Sequence, residues 1–452
     1  LNYYKKLSLL FSGILIIISL TGCKNESMKS PEKLLDKPIT DQANYQLYKD
    51  IRNLTPGDND FILPKNADDV GRINLIDLNN DSNEEVIVFK KKENENPNLN
   101  SIYTYIFETK ENKLVEETLN TIRISGDSIK YANFVDLNND GKKEIILQIR
   151  NRGFENVYIY KYIGNKIKKV GEYTSSKYAV KLNLFDYNGD GKKEILALIQ
   201  DLSSYEVSVN EMILKDNKII FNENLHTKNI DNLDKIDILN GRVSNNTNGS
   251  MIIYQSLNGS SNIQILIYKD GKFQKTLDDQ NDKVKNPFTL RPSDVNGNEV
   301  LEIPKMEFKY SNNTPNESKV ISWYEWDGLL GSDSKLNLTN QIFYSYDYNF
   351  KIMIPESLNY RFFIRQEFEN DKNTFEVFAR ESDSKLVKLY DIVVLLKNNE
   401  EYKKSNNNTS NSNILYENED YKYIVANIDL KAMKKYNLNI KDINKSFYQI
   451  NK

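Results

Sequence analysis

Three short stretches of the sequence place oxygen-bearing side chains at every second residue. The clearest reads Asp136-x-Asn138-x-Asp140-Gly141-x-x-Glu144. A second copy has Asp186, Asn188, Asp190, Gly191 and Glu194, and a third has Asp77, Asn79, Asp81 and Glu85 with Ser82 in the glycine position. Donors at positions 1, 3 and 5, with a tight turn at 6, wrap a backbone round a hard cation. The carbonyl of position 7 (Asn83, Lys142 or Lys192) adds a ligand, and the acid at 9 closes the cage. Oxygen-only donors suit Ca²⁺ and suit zinc or copper poorly. A fourth stretch, with Asp294, Asn296, Asn298 and Glu302, keeps the frame but has Glu299 at the turn and fewer charged donors. Two to four structural Ca²⁺ sites are therefore expected, with Kd on the order of 10⁻⁴ to 10⁻³ M. Calcium is expected to raise thermal stability, and Asp140→Ala to remove much of that gain.

An EF-hand would need a bidentate Glu at position 12 and a following helix. Position 12 is instead Val88, Leu147 or Ala197, each inside an apolar strand-like run. The loops therefore join strands, within near-copies at 74–89, 133–149, 183–199 and 292–306. The spacings of the first Asp leave room for one more member near 237–240, with its acids eroded and hence metal-free. Each copy continues through an aromatic-alternating strand such as Val157–Tyr162, a turn carrying Asn or Asp, and a last strand. Four strands in about 50 residues is the size of a propeller blade. The expected fold class is mainly β: a β-propeller of about five four-stranded blades over 70–340, followed by a smaller α+β domain over 341–452.

The D-x-N-x-D-G-x-x-E loops resemble those of FG-GAP/VCBS repeats, found in integrin α-subunit propellers and bacterial surface proteins. That resemblance implies a propeller with Ca²⁺ held structurally in loops on one rim.

Other chemistries are poorly supplied. The chain of 452 residues has one His (His226) and one Cys (Cys23), so it can form no internal disulfide and no His/Cys zinc site. Lys and Arg number 61 against 64 Asp and Glu, which leaves no cationic excess for a nucleic-acid partner. No P-loop, GxSxG or HExxH motif is present. Cys23 has a different use. Residues 1–22 place Lys5 and Lys6 ahead of an apolar run ending Leu20-Thr21-Gly22-Cys23, which resembles the lipobox of bacterial lipoproteins. The resemblance implies cleavage before Cys23, lipidation of its thiol and anchorage to the cell membrane, with 23–69 as lipidated Cys and polar tether.

Beyond 341 the sequence suggests an antiparallel sheet with a covering helix, interrupted by the low-complexity stretch 406–413. The phrase Phe350–Ser357 is similar to the opening strand of PsbP/Mog1-like domains. With no catalytic constellation in view, the expected function is a lipid-anchored extracytoplasmic binding or scaffold protein for a protein or glycan. The alternatives are a polysaccharide-active lyase or hydrolase, and an accessory or sensor subunit of an envelope complex.

Overall fold

The computed structural model describes residues 42–450 except 56–59, 67–69, 95, 97–99, 111–112, 165, 228–229, 231, 256–258, 278–281, 288, 308–319, 370–371, 383–384 and 398–413. The leader, Cys23 and the stretch 406–413 lie outside the described residues.

Each apolar run after an acid loop forms the second strand of an antiparallel meander. The first sheet comprises Ile73–Ile76, Glu85–Lys92, Ser101–Lys110 and Lys113–Ser125, with Asp60–Phe61 added beside Glu85–Lys92. The second comprises Ser128–Val135, Glu144–Asn151, Phe154–Ile163 and Lys166–Ser175. The third comprises Tyr178–Phe185, Glu194–Asp201, Val207–Lys215 and Lys218–His226. The fourth runs Ile236–Ser244, Thr247–Gln255, Ser261–Lys269 and Lys272–Lys275.

Runs such as IILQI have no polar alternation because both faces of the strand are covered. Ile145, Leu147 and Ile149 pack toward Ile87, Phe89 and Ile102 of the first sheet, whereas Ile146 packs toward Val180, Leu182 and Ile195 of the third. The same sharing joins third to fourth through Leu196, Leu198, Ile252 and Leu266, and fourth to fifth through Ile263, Ile265, Tyr324 and Trp326. Stacked meanders of this kind make the chain mainly β and propeller-like. The outer face of the first sheet (Val86, Val88, Tyr105, Phe107) is covered by Ile51 of helix α1 (Gln42–Leu54). That helix lies inside the span read from sequence as a polar tether.

The fifth sheet departs from the expected domain boundary. It orders Ile303–Glu307, Val320–Trp326, Leu336–Ser345, Phe350–Met353 and Phe447–Gln449, so position 340 falls within a strand. The repeat unit and the C-terminal part therefore share one sheet. Beyond it, Phe362–Glu369, Lys372–Ser382, Lys385–Leu396, Tyr421–Ala426 and Ile414–Glu417 form a sixth antiparallel sheet. Phe343, Phe350, Phe375 and Tyr423 join the two in one core. The expected C-terminal helix is two short ones, α2 (Leu430–Lys435) and α3 (Ile440–Ser446), parted where Asn437 takes φ 54°. Asp429 caps α2, and Asn439 with Asp442 forms a capping box on α3. Among the described residues no helix is long and apolar enough to cross a membrane.

Candidate functional site: acid loops and an axial cavity

The four acid loops share one backbone design. The amide of position 6 donates to the first Asp: Ser82 to Asp77 (3.0 Å), Gly141 to Asp136 (2.8 Å), Gly191 to Asp186 (2.9 Å) and Glu299 to Asp294 (2.9 Å). The amide of position 5 donates to the side-chain oxygen of position 3: Asp81 to Asn79, Asp140 to Asn138, Asp190 to Asn188 and Asn298 to Asn296. Position 7 donates back to position 5, from Asn83, Lys142, Lys192 and Val300. The closing glutamates are fixed by the amide of position 2, at 2.7 Å for Leu78–Glu85, 2.8 Å for Leu137–Glu144, 2.9 Å for Tyr187–Glu194 and 2.6 Å for Val295–Glu302. The four loops thus share one hydrogen-bonded turn.

Position 6 requires left-handed backbone throughout: φ is 84° at Gly141 and 85° at Gly191, but also 70° at Ser82 and 65° at Glu299. A side chain there costs about 1–2 kcal/mol. Ser82→Gly is therefore expected to raise the unfolding free energy by roughly 1 kcal/mol, read as a higher midpoint in denaturant.

Among the described residues no three Asp, Glu, His or Cys side chains converge as a ready-made metal cluster. The donor chemistry nonetheless fits a hard cation in the first, third and fourth loops, because among the described residues no Lys or Arg forms a salt bridge with their donor carboxylates. Burial, with Asp81 and Asp77 beside it, pushes the Glu85 carboxyl up to about 7. Burial, with Glu325 and Asp294 near, does the same to Glu302, also to about 7. Glu194 is raised by burial and by Asp190 and Asp186.

The second loop differs. Lys161, on the third strand of its sheet, pairs with Asp140, and its Nζ lies 2.9 Å from Glu144 Oε1. The Lys161 hydrogen bond draws the Asp140 carboxyl below its usual range. Register explains the contact: Ile145 faces Tyr160, so Lys161 lies level with Glu144. The same level carries Glu108 in the first sheet, Ile213 in the third and Glu325 in the fifth. Among the described residues only the second loop meets a Lys or Arg at that level.

The eroded fourth repeat is shifted from its expected frame. Asp237 lies inside the first strand of its sheet, opposite Ile253, and the acid loop is replaced by a turn at Asn245-Asn246 between Ser244 and Thr247. Arg242 reaches from this hairpin to Glu299 of the neighbouring loop, at 3.3 Å. His226 sits at a strand end, exposed, 3.0 Å from Glu223.

A feature the motifs did not mark is a polar cavity of about 520 Å³. It is lined by the first strands of the second, third and fourth sheets, by Lys65-Asn66 ahead of the first, and by Arg291 ahead of the fifth. Three successive sheets and two flanking stretches thus contribute to one space. Register puts Asn74, Asn133 and Asn183 at one equivalent position, opposite Ile87, Ile146 and Leu196, while Asn240 of the fourth sheet lies opposite Ser250. Asn133, Asn183 and Asn240 line the cavity, and Arg291 stands at the corresponding place, three residues before Asp294. The sequence signal was available: Asn recurs three residues before Asp77, Asp136 and Asp186.

Residues 136–197, spanning the second and third loops, match the FG-GAP-like repeat family. No curated protein matches in sequence. Similar solved structures include the β-propeller domain of the trilobed protease from Pyrococcus furiosus, at 11% identity, covering 69% of this chain and 85% of that one, TM-score 0.27. An α-L-arabinanase from Penicillium chrysogenum, solved with arabinobiose, is similar at 11% identity, covering 75% and 98%, TM-score 0.28. An exotype rhamnogalacturonan lyase is similar at 9% identity, covering 64% and 73%, TM-score 0.28. The chain is mainly β and propeller-like, and it carries an FG-GAP-like repeat at 136–197.

Proposed function

We propose that this protein is a lipid-anchored, extracytoplasmic recognition protein, in which a five-bladed propeller stiffened by calcium presents its axial cavity to a protein or glycan. The observation that carries the reading is the cavity itself, a polar space lined by the second, third and fourth sheets and by residues ahead of the first and fifth. Asp77, Asn79, Asp81 and Glu85, their third-loop counterparts Asp186, Asn188, Asp190 and Glu194, and Asp294, Asn296, Asn298 and Glu302 would hold Ca²⁺. The ion would supply structural cross-linking of each loop. Anchorage rests on the lipobox-like residues before Cys23; Cys23→Ala is expected to release the chain from the membrane fraction and abolish its labelling by radioactive palmitate.

A second reading is a polysaccharide lyase. It is favoured by Lys181, whose ammonium burial makes less basic than an ordinary lysine and which lies in the same cavity as Tyr131. A glycan array combined with product detection separates the two. Retention of an intact ligand is the result expected here; chain-shortened or unsaturated products would replace recognition by turnover.

A further inference from the structure

The cavity has a charge pattern that narrows what it can hold. Its lining includes four cations, Lys65, Lys130, Lys181 and Arg291, and two acids, Asp234 and Asp237. Both acids are engaged: Asp234 lies 3.5 Å from Lys130, which also meets Glu155 at 3.1 Å, and Asp237 lies 3.4 Å from Arg291. Neither of the two remaining ammonium groups forms a salt bridge with a described residue, although Asp234 and Asp237 lie near enough to Lys181 to favour its charge. Lys181 donates to the main-chain carbonyl of Ile236 at 2.5 Å, and it is half-buried on the first strand of its sheet. Lys65 is exposed to the cavity, and its backbone is pinned there by a bond from its amide to Ile129. Asn66 next to it is locked by two bonds to the main chain of Ala132. Four cations against two acids leave the lining with a net positive charge, which an anionic group of a ligand would offset.

The neutral lining is rich in donors. The Oδ1 of Asn183 accepts from Tyr187 (2.7 Å), that of Asn240 from Ser250 (2.6 Å), and that of Asn133 from the Phe134 amide (2.8 Å). With their oxygens occupied, these side chains have amide N–H groups to offer a ligand, that of Asn133 shared with the Tyr131 hydroxyl at 3.4 Å. Such donors suit the hydroxyl and ring oxygens of a sugar. The free oxygens of Asp234 and Asp237 can accept its hydroxyl protons. The volume, about 520 Å³, lies within the small-ligand range.

We infer that the axial cavity binds a carboxylated saccharide, its carboxylates set against Lys65 and Lys181 and its hydroxyls against Asn133, Asn183 and Asn240. The inference rests on the recognition reading above and adds the ligand class. Calorimetric titration of the full chain with digalacturonic acid, neutral galactobiose and inorganic phosphate tests it. Digalacturonate is expected to bind at least about tenfold more tightly than either of the others, a gap of about 1.4 kcal/mol. Lys181→Met and Lys65→Gln are each expected to weaken it by a similar factor, while Asn183→Ala weakens acidic and neutral sugars alike. Thermal melts confirm that each variant is folded, and Lys65→Gln, at an exposed position, keeps the test open should Lys181→Met disturb the core. Equal affinity for galactobiose, tighter binding of phosphate, or indifference to both lysine substitutions would overturn the inference and leave recognition standing. Cleavage of the digalacturonate would instead overturn recognition and leave the ligand class standing.

Discussion

Asp190→Ala is expected to abolish the calcium-dependent stabilisation contributed by the third loop. This loop has a full donor set, glycine at the strained turn position, and Ile213 rather than a charged residue level with Glu194. At about 10 mM calcium, a site with Kd near 10⁻³ to 10⁻⁴ M adds roughly 1.4–2.7 kcal/mol to folding. Removing Asp190 takes away one of the charged donors, so the gap between melting curves in calcium and in chelator should narrow by a few degrees. Without calcium the variant should be close to the natural chain, because the main bond it loses is the one Asp190 accepts from the Lys192 amide on an exposed turn. The sequence pointed to Asp140 for this experiment. The structure moves it to Asp190, because Asp140 already has a cation.

The second large effect is a gain. In the natural chain Lys161 pairs with both Asp140 and the buried Glu144 and occupies the oxygens a cation would need, so the second loop should be indifferent to calcium and Asp140→Ala should leave the calcium-dependent shift unchanged. Lys161→Met removes the ammonium and leaves a buried carboxylate with an unpaired oxygen, at a cost of about 1–3 kcal/mol in chelator. The loop then has the same uncompensated donor set as the third. Calcium should restore the lost stability, and titration should show one more bound ion than in the natural chain. A variant equally destabilised in calcium and in chelator would show that the lysine serves packing alone.

Much of this was legible in the chain. The alternating donors fixed where the loops would turn, and the apolar runs behind them required strands covered on both faces. The rest depended on register. Lys161 reaches Glu144 only because Tyr160 faces Ile145, and the Asn133–Asn183–Asn240 set becomes a feature only once equivalent strands surround an axis. The fourth repeat misled because Asp237 resembles a loop acid, yet it lies within a strand and pairs with Arg291 across the cavity. Helix α1 has a thin apolar stripe at Leu47, Ile51 and Leu54 in otherwise polar sequence, and its need for a partner shows only against the bare face of the first sheet. The shared fifth sheet arises from Phe350–Met353 pairing with Phe447–Gln449, a contact too distant in sequence for local pattern to encode.

Thermal unfolding of the full chain, with calcium and with chelator, tests the claim that the acid loops are cation cages. The account predicts a higher midpoint in calcium, and a smaller difference between the two curves once Asp190 is replaced by Ala. Superimposable curves for the natural chain in calcium and in chelator would contradict it.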